Sequence, residues 1–204
     1  MINTIGVIGA GQMGNGIAHV CALAGLDVKL MDVNQEQLDK ALGVMDQNMS
    51  RQVKRSLISD DDKLVALSRI ETSNSMTVFA DCDMVVEAAT ENEKVKVSIF
   101  KELCPHLHAD AILASNTSSI SITRLAAATD RPAKFMGMHF MNPVPMMKLV
   151  ELIRGLATDQ PTWEGDRGPD LPARQVAGIF RGFPGLHRQP DPAADDQRSR
   201  LHAV

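Results

Sequence analysis

Aromatic residues are the scarcest component of this chain, which has no Tyr, one Trp and six Phe among 204 residues. Large aromatic side chains therefore cannot supply most of the interior, and Leu, Ile, Val, Met and Ala must fill it. The hydrophobic fraction of 44% is sufficient for such a core. The length suits one domain, or a domain and a half.

The small number of cysteines, the lack of excess positive charge and the absence of long apolar runs argue against several classes of protein. The three cysteines (Cys21, Cys82 and Cys104) lie far apart without metal-ligand spacing, which predicts no metal site and a reducing cytoplasm. A net charge of −4 argues against a nucleic-acid partner. No apolar run approaches the ~20 residues of a membrane helix, and the N-terminus lacks a signal-peptide pattern. We therefore expect a cytoplasmic protein.

Strand-like and helical runs alternate along residues 1–164, which predicts a doubly wound, Rossmann-type α/β domain with a mostly parallel sheet. The predicted strands are 2–8, 27–32, a short one near 70, 83–88, 111–116, 134–141 and 147–153. The predicted helices are 12–25, 35–58, 60–70, 93–103 and 121–128. Because two helical runs follow each other without a strand, residues 35–69 are expected to form an inserted helical hairpin. After Pro161 no element is predicted.

A glycine-rich motif, GAGQMG, follows the first strand and opens the first helix. With Asp32 ending the second strand, 18 residues after Gly14, it fits the dinucleotide fingerprint. The carboxylate of Asp32 would accept the ribose hydroxyls and repel a 2′-phosphate, so NAD is predicted rather than NADP. A glycine-rich turn with a solvated Asp is the alternative. The loop residues assigned to the cofactor are Gly9, Gly11, Gln12, Met13 and Gly14.

A second group of residues lies in HFMNPVPMMKLVELI. His139 ends a predicted strand at the sheet edge where open α/β folds bind ligands, Asn142 follows in the turn, and Glu151 lies on the next strand. Oxidation of a hydroxyl group needs a base that titrates near neutral pH, which histidine provides. A carboxylate on the other ring nitrogen would orient that base. A His–Glu pair alone is more often structural, so the catalytic interpretation depends on the glycine motif.

These motifs, with VVEAATENEKVKVSIF and SNTSSISIT, give the chain a specific resemblance to the L-3-hydroxyacyl-CoA dehydrogenases, close to the bacterial 3-hydroxybutyryl-CoA dehydrogenases. The resemblance covers roughly residues 2–160. It implies NAD-dependent interconversion of an L-3-hydroxyacyl-CoA and a 3-ketoacyl-CoA. A non-catalytic NAD-binding module is the alternative function. Intact members of the family are homodimers, an assembly that this chain is not expected to form.

The resemblance also implies roles for individual residues. It makes His139 the catalytic base and Glu151 its partner, with Ser118 and Asn142 near the substrate oxygen or the base. Glu91 and Lys96 match family positions near the nicotinamide end of the cofactor site. The hairpin resembles the region that contacts the CoA nucleotide, although its cations equally suit a solvated face. Those cations are Arg51, Lys54 and Arg55.

Residues 165–204 lose the apolar periodicity of the preceding chain. In the family the domain continues into a helical domain whose entry resembles DFPGFIVNRILLPMINEA. A shift of one base, with suitable codons from Leu186 onward, yields FIVNRILLPMINEAVYTL. We therefore hypothesise a frameshift near Glu164 or Gly165, a missing helical domain, a disordered tail and doubtful activity. A genuine disordered tail, which the composition also fits, is the alternative.

Overall fold

A computed structural model describes residues 2–147, 149–164 and 187–190. These residues form one eight-stranded sheet with helices packed against it. The strands are β1 Thr4–Ile8, β2 Asp27–Met31, β3 Ile70–Ser73, β4 Met84–Glu87, β5 Ile112–Ser115, β6 Phe135–Phe140, β7 Val150–Arg154 and β8 His187–Pro190. The α-helices are α1 Gln12–Leu23, α2 Gln35–Lys54, α3 Asp60–Ser68, α4 Glu93–Leu103, α5 Ile122–Ala127 and α6 Gln160–Glu164.

The strand order is β3-β2-β1-β4-β5-β6-β7-β8, and the pairs from β3 to β6 are all parallel. The chain builds outward from β1 through β2 to β3 and then returns to the other side of β1 with β4. That reversal opens a crevice at the carboxyl ends of β1 and β4, where such folds bind ligands. The predicted doubly wound, mostly parallel sheet is therefore confirmed.

Strand β7 departs from the parallel arrangement. It runs antiparallel to β6, because the connection between them is a short turn rather than a helical crossover. The register sets His139 directly opposite Glu151, and Gly137 opposite Ile153. This antiparallel pair brings one more strand end to the ligand-binding side of the sheet.

Two hydrophobic clusters fill the interior, one on each face of the sheet. One is built mainly from aliphatic side chains and Met, with Ile17, Leu30 and Met45 fully buried, and also contains Phe140. The other holds Phe100 and Phe135, whose rings meet edge to face at 5.0 Å. The expectation of a largely aliphatic core is therefore confirmed, because aliphatic residues and Met outnumber the few aromatic residues in both clusters.

Helices α2 and α3 form the inserted hairpin, which packs against α1. Leu38, Met45 and Met49 are buried along one side of α2, as their helical spacing predicts. Ser59 and Asp62 form a reciprocal capping box at the start of α3. Helix α2 ends at Lys54, four residues earlier than predicted, because Ser56 adopts a φ of 55° that cannot continue a right-handed helix.

Five elements were not predicted. Three are 3₁₀ helices, at Met76–Phe79, Cys104–His106 and Pro132–Lys134, and the other two are α6 (Gln160–Glu164) and β8 (His187–Pro190). Residues 187–190 belong to the segment 165–204 for which disorder is predicted, and they form β8, which pairs with β7 because an open sheet edge can pair with an extended segment through its backbone. The rest of that segment, and the proposed frameshift point at Gly165, lie outside the described residues. Among residues 2–147 and 149–164, none of the helices combines the length and apolar character needed to cross a bilayer.

Candidate cofactor and active site

The glycine loop joins β1 to α1 and leaves the helix N-terminus uncovered. Gly9 has a φ of +96°, and a Cβ there would lie 2.7 Å from Cα of Ala89. A Cβ on Gly14 would lie 1.7 Å from the Gly9 carbonyl oxygen, so this crossing of loop and helix requires glycine. Gly11 faces open space, and no side chain caps α1 there. These features fit a pyrophosphate held by the unpaired N–H groups of α1.

Asp32 lies at the carboxyl end of β2, beside the glycine loop. Its Oδ2 accepts from the backbone N–H of Ala10 at 2.8 Å, and its Oδ1 accepts from that of Asn34 at 3.0 Å. Nδ2 of the Asn74 side chain donates a hydrogen bond to the backbone carbonyl of Asp32 at 2.8 Å. Each carboxylate oxygen keeps a lone pair for a ribose hydroxyl. The residues present therefore fit the adenosine half of NAD.

A buried ion pair lies next along the same edge. Oε2 of Glu87, the last residue of β4, is 2.6 Å from Nζ of Lys96 on α4, and their side chains are 0% and 1% exposed. The same oxygen accepts from Ser115 Oγ at 2.8 Å, while Oε1 accepts from the backbone N–H of Ala89 at 2.9 Å. Sequence reasoning identified Lys96 but missed Glu87 and Ser115. The sequence MVVEA did contain a signal for Glu87, namely a carboxylate at the end of an otherwise apolar strand.

Glu91 is surrounded by hydroxyl and amide donors from the loop after β5. Its Oε1 accepts from the side chains of Thr117, Ser118 and Ser119 at 2.6, 3.2 and 3.0 Å, and from two backbone N–H groups. Burial opposes the charge, but these hydrogen bonds and Lys96 outweigh it and hold the pKa of Glu91 below its ordinary value. Glu91, predicted to contact the cofactor, and Ser118, predicted to lie near the substrate oxygen or the base, are thus in direct contact.

Asn116, at the end of β5, ties the neighbouring strands together. Its backbone N–H donates to the Glu87 carbonyl at 2.8 Å, and its Oδ1 accepts from the Phe140 N–H at 2.8 Å. One residue thus links the ends of β4, β5 and β6. No sequence motif identified this role, because the bonded partners lie 24 or more residues away along the chain.

His139 and Glu151 form a hydrogen-bonded pair across β6 and β7. Nδ1 of His139 lies 2.9 Å from Oε2 of Glu151, and the two side chains are 20% and 23% exposed. Directly opposed residues of an antiparallel pair present their side chains on the same face, which explains the contact. Nε2 of His139 has no hydrogen-bond partner among the described residues. The imidazole is therefore oriented on one side and open on the other.

The turn after β6 closes onto the start of α1. Gln12 Nε2 donates to Asn142 Oδ1 at 3.1 Å, which joins a predicted cofactor residue to a predicted catalytic one. A Cβ on Gly16 would lie 2.7 Å from Cβ of Val144, so the turn packs directly on α1. The other predicted loop residue, Met13, is half-buried against the core.

Between this turn, α1 and α2 lies a groove of about 330 Å³, a volume within the usual range of ligand pockets. Lys40 supplies a cation to its wall, and Asn15 and Asn48 supply amides. The predicted CoA residues Arg51, Lys54 and Arg55 are exposed at the far end of α2 and do not line the groove. Within the described part of the chain, no group of His, Cys, Asp or Glu side chains is arranged to hold a metal ion.

Comparison with known proteins identifies one family. Residues 4–166 match the family model described as "3-hydroxyacyl-CoA dehydrogenase, NAD binding domain". A 3-hydroxybutyryl-CoA dehydrogenase of Bradyrhizobium diazoefficiens is 57% identical over 186 residues, which are 91% of this chain and 64% of the relative. The fatty acid oxidation complex subunit alpha of Psychrobacter cryohalolentis is 46% identical over 76% of this chain and 21% of its own length.

Solved structures agree with the sequence comparisons. The crystal structure of (S)-3-hydroxybutyryl-CoA dehydrogenase from Ralstonia eutropha superposes with a TM-score of 0.87 and 40% identity, over 95% of this chain and 65% of that one. The chain thus spans about two thirds of the length of these two 3-hydroxybutyryl-CoA dehydrogenases. The predicted family and the prediction of NAD as cofactor are confirmed.

Proposed function

Because the chain belongs to the 3-hydroxyacyl-CoA dehydrogenase family through its NAD-binding domain, we propose that it serves the interconversion of L-3-hydroxyacyl-CoA and 3-ketoacyl-CoA, with 3-hydroxybutyryl-CoA as substrate. The observation that carries the proposal is the His139–Glu151 pair, held at 2.9 Å on the sheet edge that also bears the glycine loop. A module that only bound NAD would have no use for an oriented imidazole.

In the oxidative direction, Nε2 of His139 takes the proton of the substrate hydroxyl as the C3–H bond breaks and the carbonyl forms. Bound NAD, held by Asp32 and the glycine loop, would supply the acceptor for the hydride that leaves C3. Glu151 holds Nδ1–H, so that Nε2 is the basic nitrogen, and stabilises the imidazolium after proton transfer. In the reductive direction the same nitrogen returns the proton to the carbonyl oxygen. Ser118 and Asn142 would orient the substrate oxygen and the nicotinamide ring.

The groove between α1, α2 and the 142–145 turn is the proposed site for the acyl-pantetheine part of the substrate. It lies against Asn142 and leads along α2 toward Arg51, Lys54 and Arg55, which would meet the CoA phosphates. The proposed location is the cytoplasm, supported by three buried cysteines that are all free. The homodimer of intact relatives and its expected absence here stay predictions.

An assay of NADH oxidation that depends on acetoacetyl-CoA tests the proposal. This chain is compared with a chain in which the reading frame is restored after Glu164. We expect both chains to bind NADH and the restored chain to turn over. Binding without turnover by the restored chain as well would favour the non-catalytic module, and binding by neither chain would contradict both functions. Resequencing the locus tests the frameshift hypothesis itself, which an uninterrupted frame shared by intact relatives would overturn.

A further inference from the structure

The Glu87–Lys96 pair lies on the path between the two ends of the candidate site. On one side, Ala88 N–H donates to the Ile8 carbonyl at 2.8 Å, and Ala89 packs against Gly9 of the glycine loop. On the other side, Asn116 connects the Glu87 carbonyl to β6, which carries His139. A dinucleotide that extends from Asp32 over the glycine loop toward His139 must therefore pass this pair.

The charges at this point do not cancel. Lys96 Nζ contacts Oε2 of Glu87 at 2.6 Å and lies 3.8 Å from Oε2 of Glu91. Glu87 and Lys96 are both buried, whereas the side chain of Glu91 is 44% exposed. The hydrogen bonds that lower the pKa of Glu91 keep it ionised at neutral pH. Two carboxylates and one ammonium leave a net charge of −1.

Lys96 also has unused donor capacity. An ammonium carries three N–H donors, and among the described residues its side chain makes one hydrogen bond, to Glu87. Unpaired donors on a buried cation are costly unless another group meets them. Without Glu87, the cation would place a full positive charge at the sheet edge.

We propose that Glu87 is a positioning residue that fixes Lys96 and neutralises it, so that the Glu87–Lys96–Glu91 cluster keeps a charge of −1 and binds oxidised nicotinamide in preference to reduced. The inference rests on the proposed function: the ring must reach the substrate carbon at His139, and a cofactor that extends there from the glycine loop brings its ring past this cluster. The oxidised ring carries a positive charge and the reduced ring is neutral. A cluster of charge −1 therefore favours NAD⁺, and a neutral cluster removes that preference.

The test measures the dissociation constants of NAD⁺ and NADH for the full chain by titration calorimetry near neutral pH. Glu87→Gln removes one negative charge and makes the cluster neutral, so the ratio of the two constants should shift toward NADH by about five- to ten-fold, as one charge a few ångströms away predicts. The double variant Glu87→Gln/Lys96→Met restores a charge of −1 and should return the ratio to that of the unaltered chain. Glu71→Gln removes the same charge at the opposite edge of the sheet and should leave the ratio unchanged.

A purely structural role for Glu87 would weaken both cofactor forms equally, so an unchanged ratio in Glu87→Gln would overturn the inference. If that variant does not fold, Glu91→Gln, at a half-exposed position, also makes the cluster neutral and should shift the ratio in the same direction. An unchanged ratio there, or a shifted one in the double variant, would equally overturn it. If the unaltered chain binds neither form, the proposed function fails, and the inference fails with it.

Discussion

The direction in which each hydrogen bond points decides what His139 can do. Glu151 engages Nδ1 at 2.9 Å, so Nε2 is the nitrogen left available to the proposed substrate. Neither group would be oriented if the strands were shifted by one residue, since that shift would move one side chain to the other face of the sheet. The chemistry of the site thus depends on an exact cross-strand pairing.

Replacing His139 with Gln tests the assignment of the base. Glutamine is polar and of comparable size but cannot accept the hydroxyl proton, so kcat in the frame-restored chain should fall by about 10²- to 10⁴-fold. The dissociation constant for NADH should change little, because His139 lies beyond the adenosine and pyrophosphate contacts. His106→Gln, outside the site, is the matched control. Unimpaired turnover by His139→Gln would remove this residue from the mechanism.

At the scale of elements, the approach of α1 to the glycine loop and to α2 determines the shape of the site. Two helical glycines illustrate opposite requirements. A Cβ on Gly14 would clash with the Gly9 carbonyl, whereas a Cβ on Gly43, in the middle of α2, would meet nothing within 4 Å. Gly14 is therefore needed for the close contact between loop and helix, whereas Gly43 only lowers the helix propensity of α2.

Alanine substitutions at these two positions should therefore have opposite effects. Gly14→Ala should lower the free energy of unfolding by about 1–3 kcal/mol, because loop and helix must separate. Gly43→Ala should raise it by about 0.5–1 kcal/mol, through the higher helix propensity of alanine. Urea unfolding monitored by circular dichroism measures both. A destabilised Gly43→Ala, or a Gly14→Ala with native stability and NADH binding, would contradict this account of the packing.

The interface between α1 and α2 also contains a buried histidine. His19 is fully buried, with Nε2–H donating to Oε1 of Gln52 at 3.2 Å and Nδ1 unpartnered among the described residues. Burial lowers the pKa of His19 below 6.5, and the hydrogen bond to Gln52 only partly opposes this effect. The folded chain therefore holds His19 neutral at pH values where the unfolded chain binds a proton.

The sign of the resulting pH dependence follows from linkage. Because the unfolded state takes up more protons, the free energy of unfolding should decrease as the pH falls from about 7 to about 5. His19→Gln removes that contribution and should flatten the dependence over this range, whereas His106→Gln should not. Urea midpoints across the range measure the effect. An equally steep dependence in His19→Gln would show that another group is responsible.

In the whole molecule, the sheet gathers residues from distant parts of the chain on one edge. The glycine loop follows β1, Glu87 ends β4, Asn116 follows β5 and His139 lies near the end of β6. The hairpin adds a wall outside the sheet, and the groove runs between this wall and the 142–145 turn. The reactive end of an acyl-CoA and its nucleotide would therefore contact different layers of the fold.

This division predicts separable effects on substrate binding. The combined variant Arg51→Gln/Lys54→Gln/Arg55→Gln should raise KM for acetoacetyl-CoA several-fold in the frame-restored chain, with kcat nearly unchanged. It should not change KM for acetoacetyl-pantetheine, which lacks the nucleotide. Added salt should reduce the difference in KM for acetoacetyl-CoA between the variant and the unaltered chain, because it screens the three cations. Equal KM values for acetoacetyl-CoA would assign these cations to a solvated face.

Much of the fold and part of the site could be predicted because they depend on local patterns. Strand and helix periodicity identified seven strands, and GAGQMG with Asp32 identified the cofactor loop. The antiparallel direction of β7 and the pairing of β8 could not be read in this way, since edge pairing is decided by backbone geometry. Glu87 was missed because a single carboxylate at a strand end has no distinctive spacing.

Sequence patterns alone predict the order of elements, the glycine crossing at Gly14 and the identity of the groups able to carry chemistry. These properties follow from residue type and from spacing within one turn or one strand. The contact of Gln12 with Asn142, 130 residues away, and the burial of Lys96 against Glu87 are visible only in the folded arrangement. The physical reason is that burial and pairing of charges depend on which elements pack together, and short-range patterns carry no information about that packing.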